Sequence, residues 1–224
     1  MILDKERAID SISFKKLQKN NIDSALFLQE KAYEKLLDKE TYVPEKRQEL
    51  LLGIEKGFLL GAFFEERLCG FWNLIPYGDD LESYFYDCPD FVFTKKENGK
   101  SLINFESAVV DQSFRGLGID KKAVAICVDS LKNRFDYFAC TVSPKNTPSL
   151  KAMIKNQFYP CRLKKKYGGK ERLILIKRKA PWETEKTAEK LSYNEKEKMN
   201  ELFKNKYIIT SIDKENRFVF KKLK

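Results

Sequence analysis

Between Ile103 and Lys122 the chain reads INFESAVVDQSFRGLGIDKK, the stretch whose residue types and spacing are best suited to chemistry. An apolar run through Ala108, Val109 and Val110 passes into Arg115, Gly116, Leu117 and Gly118, and a helix-like run opens at Asp120 with Lys121 and Lys122 in its first turn. Glycine has no Cβ, so successive backbone N–H groups can turn inward together. The start of a helix adds donors without intrahelical acceptors and the positive end of a dipole. A strand, a glycine turn and a helix start in that order predict a cradle for phosphate. Glu106 lies upstream on the same strand, where a carboxylate can accept a proton directly or through water. Ser107 alternates with it and so faces the other way. Read without a ligand, the same residues are a strand–turn–helix corner with Glu106 turned to solvent.

The elements that must position these residues follow from the hydrophobic pattern. Ser13 to Leu17 reads as a first strand, and Asn21 or Asp23 starts a helix through Leu37. A second helical run begins at Pro44 and continues through Leu52. Phe58 to Phe64 and Leu68 to Ile75 flank Glu65, Glu66 and Arg67 as a hairpin. Beyond the cradle come a helix over Ala123 to Arg134, a strand over Tyr137 to Val142, and VSPKNTPSLKAMIKNQF from Val142 to Phe158. That last segment is a strand end, a turn on Ser143, Pro144 and Asn146, and an amphipathic helix. Arg172 to Ile176 is a further strand. Helices alternating with strands predict an α/β or α+β class.

With both the glycine turn and the downstream Asn146-to-Phe158 turn and helix in place, the chain resembles the GNAT superfamily of N-acetyltransferases over roughly residues 10 to 178. The family's phosphate motif is Gln or Arg, two of any kind, Gly, any, then Gly or Ala, and here it reads Arg115, Gly116, Leu117, Gly118, Ile119, Asp120. The resemblance implies a mixed, splayed sheet flanked by helices. It implies acetyl-CoA as cofactor and direct transfer of the acetyl group to an amine. Backbone groups at Val109 and Val110 would meet the pantetheine arm, and Arg115, Gly116, Leu117, Gly118, Ile119, Asp120 and Lys121 would surround the pyrophosphate. Asn146 would shape the slot, and Glu106 would act as catalytic base. Two positions depart from the pattern. Asp120 replaces Gly or Ala, and either repels pyrophosphate or caps the helix. Met153 stands where many members carry a proton-donating Tyr, and a thioether cannot donate. Tyr33, Tyr159 and Tyr167 are the alternative donors. The departures leave open a second reading, a CoA-binding sensor or interaction module without transfer.

Composition narrows the classes further. The 224 residues contain no His, so Ser–His and Cys–His nucleophilic catalysis and Cys/His zinc sites are excluded. The five cysteines form no CxxC pair, and no metal site is expected. Reduced, buried thiols and an N-terminus without an apolar core suit a cytoplasmic protein. No apolar run reaches the ~20 residues of a membrane helix. The net charge of +10 comes mainly from Lys, without a basic block interleaved with aromatics, so neither a nucleic-acid nor a membrane partner is expected. A small-molecule amine is the expected partner, and a homodimer stays open.

Two segments exceed a minimal fold, giving an expected division into a catalytic domain, 1–179, and a C-terminal appendage, 180–224. Tyr77 to Lys100 carries Asp79, Asp80, Glu82, Asp87 and Asp90 among aromatics. If it walls the substrate mouth, it favours a cationic amine. In the appendage, Thr184 to Lys206 is highly charged and reads as helix. Tyr207 to Ile212 and Arg217 to Phe220 flank Asp213 to Asn216 as a terminal hairpin.

Overall fold

The computed structural model describes residues 11–76 and 102–224. The acidic insertion around Asp79 to Phe91 lies outside these residues. The chain divides into two compact units, one of residues 1–76 and 105–131 and one of 77–104 and 132–224.

In the first unit, β1 (Ile12–Lys16), β2 (Phe58–Phe64), β3 (Arg67–Pro76) and the greater part of β4 (Leu102–Val110) lie side by side in that order. β1 pairs antiparallel with β2, from Ile12 opposite Phe64 to Lys16 opposite Leu60. The β2–β3 hairpin turns on Glu65 and Glu66, both in the left-handed region at φ 46 and 62. Helices α1 (Ile22–Glu34) and α2 (Arg47–Glu55) follow β1. Their apolar stripes, Ile22, Ala25, Leu28, Ala32 and Leu50, pack with Leu17, Leu59, Phe71 and Val109 in one buried cluster. Helix α3 (Ile119–Leu131) contributes buried Ile119, Ala123, Val124, Cys127, Val128 and Leu131 at helical spacing. Residues 119 to 131 bury this stripe because apolar positions recur every three or four residues, and the helix gives them one face.

The second unit contains β5 (Tyr137–Val142), α4 (Thr147–Lys155), β6 (Tyr159–Lys166) and β7 (Lys170–Arg178), with β7 between β5 and β6. The chain continues as β8 (Thr184–Leu191), α5 (Lys196–Lys204), β9 (Tyr207–Ile212) and β10 (Phe218–Leu223). The terminal hairpin forms as its apolar runs predict, with Asp213 accepting from the Glu215 and Arg217 amides across the turn. The expected helix over Thr184 to Lys206 is corrected in its first half. Thr184–Leu191 is an edge strand paired antiparallel with β10, Leu191 opposite Phe218. Charge density gave no period here. Pairing to the apolar β10 decides the conformation, and the exposed Glu and Lys side chains blunt the free edge. Residues 180–224 also share a core with the rest of this unit. Fully buried Ile208 of β9 packs with Leu102, Ala139, Cys161, Ile174 and Ile176.

Candidate functional site

The glycine turn follows β4 directly. Asp111 leaves the strand with its amide donating to the Cys69 carbonyl at 2.8 Å. Its carboxylate accepts from the Ser113 amide at 2.9 Å and from Arg67 at 2.6 Å, which fixes the chain's exit. Burial pushes this carboxyl upward, but the Ser113 bonds and the Lys31 and Arg67 charges outweigh it and hold it below its ordinary value. Gly116 and Gly118 then adopt φ of 79 and 76. A Cβ at either position would meet no atom within 4 Å. The glycines are therefore required by backbone conformation, not by crowding, and their inner face opens onto space at the start of a 13-residue helix. Arg115 and Lys121 are exposed, and the Arg115 side chain donates to the Val110 carbonyl at 3.2 Å. This open turn fits a phosphate-bearing cofactor.

The Asp120 side chain makes a tertiary contact rather than a helix cap. Its carboxylate accepts from the indole N–H of fully buried Trp72 at 2.7 Å. Burial raises its pKa, and the indole hydrogen bond opposes the rise. The Trp72 contact holds the side chain, which leaves the backbone at Asp120 as the part suited to a phosphate.

On β4, Val109 is buried and Val110 half-buried. Glu106 is exposed and Ser107 is buried, as alternation predicts. Ser107 reveals a group that the sequence did not point to. Its hydroxyl donates to the carboxylate of Glu45, in the segment between α1 and α2. The other carboxylate oxygen of Glu45 accepts from Asn73 of β3 at 2.6 Å. Gln29 of α1 holds the Glu45 backbone from both sides, donating to its carbonyl and accepting from its amide at 2.9 Å. Tyr42 donates to the same Gln29 oxygen at 2.7 Å. No Lys or Arg among the described residues pairs with Glu45. Burial pushes its pKa up to about 7, with Ser107 and Asn73 opposing the rise and Glu106 and Glu49 adding to it. Tyr42 is raised as well, by burial and then by Glu45. Asn73 reaches this cluster because Gly53 of α2 leaves room; a Cβ there would fall 1.7 Å from the Asn73 oxygen. The only sequence signal for Glu45 was a carboxylate beside Pro44 at the head of a helical run, which reads as ordinary N-terminal charge.

The remaining candidates belong to the second unit, apart from Tyr33. Asn146 caps α4, its side chain accepting from the Ser149 amide at 3.3 Å. Met153 is buried on the same helix. Tyr159 is half-buried at the start of β6. Tyr167, exposed in the β6–β7 turn at φ 50, shares a hydrogen bond of 3.1 Å with Thr141. Tyr33 is half-buried against Tyr42, with the Lys39 ammonium 4.4 Å from its ring. The thiols of Cys69, Cys127, Cys140 and Cys161 are buried. Burial pushes the Cys69 thiol up to about 11 and raises Cys127 too, so neither is an activated nucleophile. Among the described residues no group of three His, Cys, Asp or Glu is placed to hold a metal ion. Nor is any described helix long and apolar enough to cross a membrane.

No family model matches the sequence, and no curated protein matches it. Solved structures do match the fold. An N-acetyltransferase from Staphylococcus aureus Mu50 is 16% identical with a TM-score of 0.55, covering 75% of this chain and 98% of its own. The ribosomal-protein-S18-alanine N-acetyltransferase from Escherichia coli is 11% identical with a TM-score of 0.55, over 75% and 93%. A GNAT-family acetyltransferase from Streptococcus agalactiae is 17% identical with a TM-score of 0.56, over 75% and 96%. The chain therefore has the α/β fold of GNAT N-acetyltransferases, as its two motifs predict.

Proposed function

We propose that this protein is an acetyl-CoA-dependent N-acetyltransferase that transfers directly to a small amine. The observation that carries the reading is the open left-handed turn at Gly116 and Gly118, set between β4 and the start of α3 in a fold shared with N-acetyltransferases. Acetyl-CoA, when bound, supplies an acyl group already activated as a thioester. The chain then needs to bind, orient and manage protons, which suits a protein without an activated nucleophile. Arg115, Lys121 and the amides from Gly116 to Asp120 would hold the pyrophosphate, and the backbone at Val109 and Val110 would align the pantetheine arm. A carboxylate on or beside β4 would take the acceptor's proton. A second reading, a CoA-binding sensor or interaction module without transfer, draws on Met153, which is buried and has no proton to give.

Calorimetric titration with CoA and acetyl-CoA, alongside thiol release over an amine panel, tests both readings. Wild type should bind both ligands, and Gly118→Glu should abolish binding while the fold is retained. Its melt should fall by a few degrees, because a side chain at φ 76 costs about 1–2 kcal/mol. Absence of binding at millimolar ligand overturns both readings, and binding without transfer to any amine leaves the second.

A further inference from the structure

We propose that Glu45, rather than Glu106, is the group that receives the acceptor amine's proton; the inference rests on the acetyltransferase reading. The argument begins with where the carboxylate is held. Ser107 and Asn73 clamp its two oxygens onto adjacent strands, and Ser107 lies two residues before Val109, where the thioester arm is expected to pair. Gln29 fixes its backbone through two hydrogen bonds of 2.9 Å, so the carboxylate is pre-positioned rather than swinging on a loose segment. Both clamping groups are neutral. Among the described residues, the charged and titratable groups acting on it are Tyr42 from its own segment, Glu49 from α2 and Glu106 from β4, while β3 and α1 contribute the neutral Asn73 and Gln29. A half-buried carboxylate without a cation among the described residues, in a chain of net charge +10, is an unmet electrostatic demand. An ammonium group satisfies it.

The proton step balances simply. One N–H bond of the bound ammonium breaks, its electron pair stays on nitrogen, and one O–H bond forms on Glu45. The neutral amine is then competent to attack, and Glu45 later returns the proton to water. Glu106 contributes through its charge, which makes Glu45 a stronger base. Glu106 itself is exposed on β4, whereas Glu45 is half-buried. The acceptor class follows as a cationic amine whose charge is lost on entry.

The test combines a pH profile with a direct titration. In the wild type, kcat/KM should fall on the acid side with a midpoint near pH 7. Glu45→Gln should erase that limb and lower kcat/KM by roughly 10²–10⁴-fold at pH 8, the range of a lost general base. Glu106→Gln should keep the limb and move it to lower pH, and Ser107→Ala should move it to higher pH by removing a donor to the ionised form. Ser107→Ala also serves should Glu45→Gln fail to fold. The Glu45 carboxyl resonance, assigned by loss in Glu45→Gln or displacement in Ser107→Ala, is followed by 13C NMR in the CoA-loaded protein. Ethanolamine, spermidine and an alanine-initiated tetrapeptide are the probes. At least one should shift its titration midpoint downward. A limb kept in Glu45→Gln and erased in Glu106→Gln overturns the inference while transfer stands. A midpoint that responds to amines in a protein that never transfers supports Glu45 as the ammonium contact and overturns the acetyltransferase reading. If no amine moves the midpoint, the inference is overturned whether or not transfer occurs.

Discussion

At the scale of single residues, Glu45 and Asp120 each make stability fall as pH rises, because burial raises their pKa values. Below about 4.5, the ordinary value for Glu, Glu45 is protonated in both the folded and the unfolded chain and costs nothing. As pH rises the unfolded chain ionises first, so stability is lost until the folded carboxyl ionises near about 7. Glu45→Gln should therefore flatten the pH dependence of the urea midpoint between those values and gain most at pH 8; an unchanged slope would show that burial does not hold this group neutral. Asp120 has the same sign, since its pKa is also raised by burial. Asp120→Asn keeps an acceptor for Trp72 and should be near neutral or stabilising above pH 5. Asp120→Gly leaves the buried indole N–H without its partner, costing about 1–3 kcal/mol, and adds about 1 kcal/mol for glycine in a helix. The expected melt is lower by several degrees. A stability equal to wild type would mean that the Trp72 contact contributes nothing.

At the scale of elements, the site depends on how closely α2 approaches β3. Gly53 leaves room for the Asn73 amide, whose nitrogen donates to Glu45 and to the Glu49 carbonyl at 3.2 Å. Gly53→Ala improves helix propensity by about 1 kcal/mol. The new methyl would lie 1.7 Å from the Asn73 oxygen, so helix and strand must part or Asn73 must leave Glu45. Overpacking of this kind costs about 1–3 kcal/mol and wins over propensity. The expected outcome is a lower melting temperature together with a displaced Glu45 titration. A stabilised variant with an unchanged Glu45 midpoint would refute the coupling.

At the scale of the whole molecule, residues 180–224 behave as part of the second unit's core. Ile208 is fully buried among Leu102, Ala139, Cys161, Ile174 and Ile176, and Trp182 packs against the same cluster with the Arg178 guanidinium 4.2 Å from its ring. Tyr193 and Lys196 both reach Glu171 of β7, Lys196 at 2.9 Å. A chain ending at Lys179 would expose apolar side chains worth about 1.5–3 kcal/mol each. It should lose cooperative unfolding, read by calorimetry, or aggregate on expression. A sharp transition within a few degrees of the full chain would show that the segment is dispensable for stability.

The local grammar of the chain was legible without coordinates. The glycine pair that takes φ near 80, the β2–β3 hairpin, the turn at Asn146 leading into α4 and the terminal hairpin all rest on interactions within a few residues, which residue type largely dictates. Period-2 alternation likewise separated Glu106 from Ser107. What only the tertiary structure decided depends on partners distant in sequence. Asp120 looked like a cap or a repellent charge until Trp72, 48 positions earlier, took its carboxylate. Thr184–Leu191 looked helical until β10 supplied a pairing edge. Glu45 drew no reading from the sequence, and it is Ser107, 62 positions later, that closes on it. Burial and proton affinity are properties of such assembled neighbourhoods, so a sequence can supply the carboxylate while only the fold makes it a base.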